Sequence, residues 1–94
     1  MECIKPLFSL GQVVSTPGAL DALARANQLP NHFLNRHVSG DWGDLSNEDK
    51  AENEYSLQHD FRILSSYQTA AGERLWLITE ADRSATTFLL PEEY

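Results

Sequence analysis

Within "RHVSGDWGDL" (Arg36 to Leu45), His37, Asp41 and Asp44 set one imidazole and two carboxylates around Trp42 and two glycines. An imidazole with two carboxylates is a donor set that a divalent metal accepts. The spacing argues against a metal. A structural zinc site takes four ligands, usually with cysteine, and no second histidine or thiol lies nearby. A calcium loop needs alternating oxygen ligands and a closing glutamate at spacings that these acids do not keep. No metal or other cofactor is expected here. The structural reading of the same residues has an aspartate satisfying turn amides, Trp42 plugging the core edge and His37 capping a helix end.

A second constellation is "ITEADRSATT", where Glu80, Asp82 and Arg83 fall at a strand end and turn. A carboxylate beside an arginine can serve acid-base and phosphate-stabilising roles. Its structural reading is an Asp82 turn, the side chain bonding the following amides, with Arg83 in a surface ion pair. A nucleophile is missing from either constellation. Ser65 and Ser66 lie in a strand without the sharp elbow that exposes a hydrolase serine, and Cys3 sits near the amino terminus. The five glycines are scattered at 11, 18, 40, 43 and 72, with no phosphate-loop signature. No basic patch with interleaved aromatics marks nucleic-acid binding.

Charge carries more. Fourteen acidic residues oppose seven basic ones, a formal net charge of -7. Asp41 to Asp60 holds seven acids against Lys50 alone, so six of the seven excess charges fall in one fifth of the chain. Such a field repels a phosphate backbone and attracts a basic protein surface. Asp41, Asp44, Glu48, Asp49, Glu52 and Glu54 are the candidate partner-binding residues. The bland alternative is a solvated helix face that keeps a small protein in solution.

The elements that position these groups follow from local signals. "LGQVVST" is a short β-branched run that ends in Thr16, an N-cap, and Pro17 at the first helical position. The helix that follows repeats Leu20, Leu23 and Ala24 toward the core. A second helix starts at Pro30, with Phe33, Leu34 and His37 on one side, and Gly40 supplies a left-handed cap. Ser46 opens a third helix with Asp49 three residues on, a pair like a capping box. That helix has little apolar surface beyond Ala51, Tyr55 and Leu57, which places it outside with its acid in solvent.

The last third reads as β. "FRILSSY" alternates, with Phe61, Ile63, Ser65 and Tyr67 on one face. "TAAGE" is a hairpin loop, and "RLWLITE" is a nearly continuous apolar run that suits a central strand with Trp76 deeply buried. "ATTFLL" gives a third strand, which Pro91 stops. The expectation is a single α+β domain over residues 1–94: an antiparallel meander of strands near 61–67, 74–80 and 85–90, with amino-terminal helices packed on one face. Ninety-four residues allow one core. A lone cysteine and the absence of a leader-like start point to the cytoplasm, and no stretch approaches the ~20 apolar residues of a membrane span.

Two resemblances rest on these segments. "RHVSGDWGDL", "DKAENE", "RILSSY" and "ITEADRSATTFLLPEEY" resemble a family of short bacterial proteins associated with plasmids and other mobile elements, over most of the chain. Some members are labelled subunits of type I restriction-modification enzymes. This chain departs from that label: it has no methyl-donor loop and is far too short for a methyltransferase. More locally, "RILSSY" and "LWLITEADRSATTFLL" are similar to the carboxy-terminal meander of barnase-like ribonucleases. That likeness implies a glutamate base, arginines for the phosphate and a histidine acid in a late loop. On it Arg62 matches a strand arginine, Asp82 and Arg83 occupy the histidine's place, and no glutamate matches the base.

Two functions are therefore weighed. The first is a cytoplasmic binding protein that sets its acidic segment against a basic partner, such as a nucleic-acid-processing or host-defence protein, without touching nucleic acid or membrane. The second is a metal-independent ribonuclease or an inactive relative. It would need Arg62 and Arg83 to converge with Glu80, His37 or His59.

Overall fold

A computed structural model of the chain describes residues 6–94, so Cys3 lies outside the described residues. In order come β1 (Gln12–Ser15), α1 (Pro17–Ala26), α2 (Pro30–Val38), α3 (Asn47–His59), β2 (Ile63–Gln68), β3 (Arg74–Thr79) and β4 (Ala85–Leu89). A 3-10 turn at Pro91–Glu93 closes the chain. The α+β architecture and the β2–β3–β4 antiparallel meander are as the strand patterns and the hairpin loop predict. The sheet has one strand more. β1 lies parallel to β4 in the order β1-β4-β3-β2, which makes the sheet mixed.

Caps set the helix starts. The Thr16 hydroxyl accepts from the Ala19 amide at 3.2 Å, and Pro17 takes the first turn of α1. Ser46 accepts from the Asp49 amide at 3.1 Å, while Glu48 and Asp49 face the positive end of α3. Asn27 and Asp60 adopt left-handed conformations that end α1 and α3. Gly40, at φ +91°, provides the left-handed residue after α2.

The inner face of the sheet carries Ile63, Ser65 and Tyr67 from β2, Leu75, Leu77 and Thr79 from β3, and Thr86 and Phe88 from β4. Ala19 and Leu23 of α1 and Phe33 and Leu34 of α2 pack on it as the main core. Complete burial of each large side chain there is favourable by ~1.5–3 kcal/mol.

Three expectations of packing change. α1 buries Ala19, Ala22 and Leu23, while Leu20 and Ala24 are exposed. The Thr16 amide bonds the Phe88 carbonyl, and the Thr16 hydroxyl donates to the Glu93 carboxylate, so the helix start lies close against β4 and only small side chains fit beneath it. Trp76 points to the outer face, where it is half-buried and meets Tyr94 edge-on, whereas Trp42 is the buried indole. Phe61 precedes β2 and is exposed, because Asp60 turns left-handed before it and swings it toward α3.

Candidate functional site

The structure first sorts the acidic segment. Asp41 receives two hydrogen bonds from the Arg36 guanidinium, at 2.7 and 3.3 Å. That arginine, aided by the Gly43 amide, holds the Asp41 carboxyl below its ordinary range. Asp44 pairs with Arg74 at 2.8 Å, and Glu54 accepts from the Trp42 indole at 2.9 Å. These three acids stitch the "GDWGD" turn to its surroundings. All six acids are exposed, and Glu48, Asp49 and Glu52 differ in making no ion pair among the described residues.

How α3 is held explains why its outer side is free. Its buried residues are polar, Asn53 and Ser56. The Asn53 amide donates to the Leu64 carbonyl at 2.6 Å and accepts from the Leu64 amide at 3.2 Å, doing for the edge of β2 what a neighbouring strand would do. One step along that edge, Ser66 makes an isolated parallel bridge with Gly43, through Asp44 N–H to Ser66 O at 2.7 Å and Ser66 N–H to Trp42 O at 3.1 Å. Gly43 sits at φ +76°, and a Cβ there would meet the Ser66 backbone.

The arginine of the second constellation is structural. Arg83 donates to the carbonyls of Phe61 (2.8 Å), Glu80 (3.1 Å), Ala81 (3.2 Å) and Ser56 (3.2 Å). It clamps the end of α3 to the β3–β4 turn and replaces the surface ion pair expected for it. Asp82 does bond its turn, accepting from the Ser84 amide at 3.0 Å. The Ser84 contacts hold its carboxyl below the usual range.

His37 does not cap a helix end. It is fully buried on the inner face, with Nδ1 at 2.5 Å from Ser65 Oγ and Nε2 at 2.9 Å from Thr79 Oγ1. Thr79 Oγ1 lies 2.7 Å from Thr86 Oγ1, which donates to the Leu10 carbonyl at 2.8 Å. The proton directions follow from that last bond. With the Thr86 proton committed to Leu10, Thr86 accepts from Thr79, so Thr79 accepts from His37 Nε2–H and Ser65 donates to Nδ1. Every member is satisfied with the imidazole neutral, and burial lowers the His37 pKa to about 3.

Of the five residues weighed for the ribonuclease alternative, Arg62 and Glu80 pair through their side chains, while Arg83, His37 and His59 are each engaged elsewhere. Arg62 and Glu80 meet on the outer face at 3.8 Å, in a groove with Ile78, Thr87 and Tyr94. Arg62 also donates to the Tyr94 hydroxyl at 2.8 Å. Arg83 is taken up by carbonyls, and His37 lies across the sheet with both ring nitrogens engaged. Among the described residues no group of three or more histidine, cysteine, aspartate or glutamate side chains could hold a metal.

One surface feature escaped the sequence reading. Tyr55, His59 and Phe61 stack in the open at the end of α3. Tyr55 and His59 have ring centroids 4.0 Å apart and are inclined by 26°, while Phe61 lies 5.9 Å from Tyr55 at 13° and 6.4 Å from His59. The spacing of Tyr55 and His59 along a helix was a legible signal, because residues four apart share a face. The αL turn at Asp60 that brings Phe61 onto them was not. No helix among the described residues is long and apolar enough to cross a membrane. Comparison with protein-family models, curated proteins and solved structures gives no match for this chain.

Proposed function

We propose that this chain is a cytoplasmic binding protein, carried by a mobile element, that uses the outer side of α3 against a basic protein surface. One observation carries the reading: Asp41, Asp44 and Glu54 are bonded to Arg36, Arg74 and Trp42, whereas Glu48, Asp49 and Glu52, exposed on α3, make no ion pair among the described residues. Their charge steers a basic partner and deters a phosphate backbone. A nucleic-acid-processing or host-defence protein fits the chemistry, since its own phosphate groove is basic and carboxylates can occupy the places of phosphates. The cytoplasmic setting is supported by the single cysteine in the sequence.

The test is capture of partners from the source cells on the immobilised protein, identified by mass spectrometry, beside a variant carrying Glu48→Lys, Asp49→Lys and Glu52→Lys. A partner with a basic surface should bind the parent, fade as salt rises and be lost with the variant. Its retention by a folded variant would sink the reading. RNA cleavage by the purified protein, abolished by Arg62→Ala or Glu80→Gln, would promote the ribonuclease instead.

A further inference from the structure

α3 is built inside out. A surface helix ordinarily turns its apolar stripe inward, yet here Asn53 and Ser56 are inside, while Tyr55 and the neighbouring Phe61 are 54% and 52% exposed. The Asn53 bonds to Leu64 and the Arg83 clamp on Ser56 fix the helix in this orientation. The stacked rings are therefore presented to solvent by specific contacts.

Their surroundings choose the occupant. Glu48, Glu52, Tyr55 and His59 follow one stripe of α3, and a shallow groove runs along it between Glu48, Ala51, Glu52 and Tyr55. An apolar partner helix would have to bury Glu48 and Glu52 without counter-charge, which is costly. A second copy, docked symmetrically through this patch, would bring those carboxylates near their own equivalents. A cation with a flat, weakly hydrated face meets both demands: it lies on the rings and pairs with the carboxylates beside them. Among side chains that describes the arginine guanidinium, which stacks on aromatic faces and forks onto carboxylates, whereas the lysine ammonium is a strongly hydrated point charge.

We propose that Tyr55, His59 and Phe61 form a platform for an arginine in a basic segment of the protein partner, with Glu52 and Glu48 receiving that segment's further cations along the groove. This inference rests on the binding reading above and adds to it the residue type that is recognised.

The probe is a short peptide of arginine-glycine repeats, compared with the same peptide carrying lysine, titrated into the full chain and followed by calorimetry and by amide shifts of α3. The arginine peptide should bind about two- to five-fold more tightly than the lysine peptide, the range that a cation–aromatic contact contributes at an exposed site. Tyr55→Ala, and independently Phe61→Ala, should abolish that preference; both side chains are at the surface, and thermal unfolding checks that each variant is folded. Glu48→Gln with Glu52→Gln should weaken both peptides and flatten the salt dependence while the preference for arginine persists. Equal binding of the two peptides, weakened by the glutamine pair, would overturn the platform and leave the binding reading standing. Binding of neither would overturn both. Self-association in sedimentation, lost with Tyr55→Ala, would assign the platform to a second copy and refute the proposal.

Discussion

Mild acid should weaken this fold through one side chain. His37 is neutral in the folded state and its pKa falls from 6.5 to about 3, so below pH 6.5 the unfolded chain binds a proton that the folded chain refuses. A depressed folded pKa gives stability that is complete above the unfolded value and is lost as pH falls toward the folded one. Linkage makes the loss about 2 kcal/mol at pH 5 and about 3 kcal/mol at pH 4. A domain of this size holds ~5–14 kcal/mol in all. The carboxyls held low by their partners, Asp41, Glu73, Asp82 and Glu93, also lose stability in acid, but their ordinary values of 3.8 and 4.5 set that window below the one where His37 acts first. Urea unfolding between pH 7 and pH 5 therefore isolates the imidazole. The parent should lose about 2 kcal/mol over that interval. His37→Gln, which keeps a donor and an acceptor but does not titrate, should be less stable at pH 7 and nearly flat from there to pH 5. A parent that loses under about 0.5 kcal/mol, well short of the linkage value, or a variant with the parent's slope, would refute the neutral buried relay.

Two further outcomes follow from the packing. Asn53→Ala should destabilise by roughly 1–3 kcal/mol, since it leaves the Leu64 amide and carbonyl unpaired at the edge of β2, and hydrogen exchange at the Leu64 amide should speed up before that of β3. Trp42→Ala should cost ~3–5 kcal/mol, the range for a buried aromatic, and Trp76→Ala distinctly less because Trp76 is half-buried on the outer face; urea midpoints that reverse this order would contradict the placement of the two indoles.

What could be read in the sequence was local. Thr16–Pro17, Pro30 and Ser46 mark their helix starts because a cap or a first-turn proline needs only its own few neighbours. β2 was legible from its alternation and β3 from its nearly continuous apolar run, both patterns that a few neighbouring residues display. β1 could not be assigned to β4, since a parallel pairing between residues 12–15 and 85–88 has no sequence-local cue. The attachment of α3 was hidden for a related reason: its anchors are Asn53 and Ser56, and a hydrophobic pattern cannot reveal a polar anchor. The acidic segment was visible as charge. Its division into partnered and unpartnered carboxylates depends on where Arg36, Arg74 and Trp42 come to lie, and the expected role of Arg83 failed because the carbonyls around it belong to three separate segments.

The side-chain amide that takes the place of a strand beside β2 separates two jobs that most small proteins combine. Stability is drawn from positions 53 and 56 of α3 and from the clamp at its end, while positions 48, 51, 52, 55 and 59 contribute little to holding the helix in place. Natural variation or deliberate randomisation at those five positions can change what the surface recognises while the scaffold keeps its shape. In engineering terms α3 is a display helix with its mounting on one side and its letters on the other.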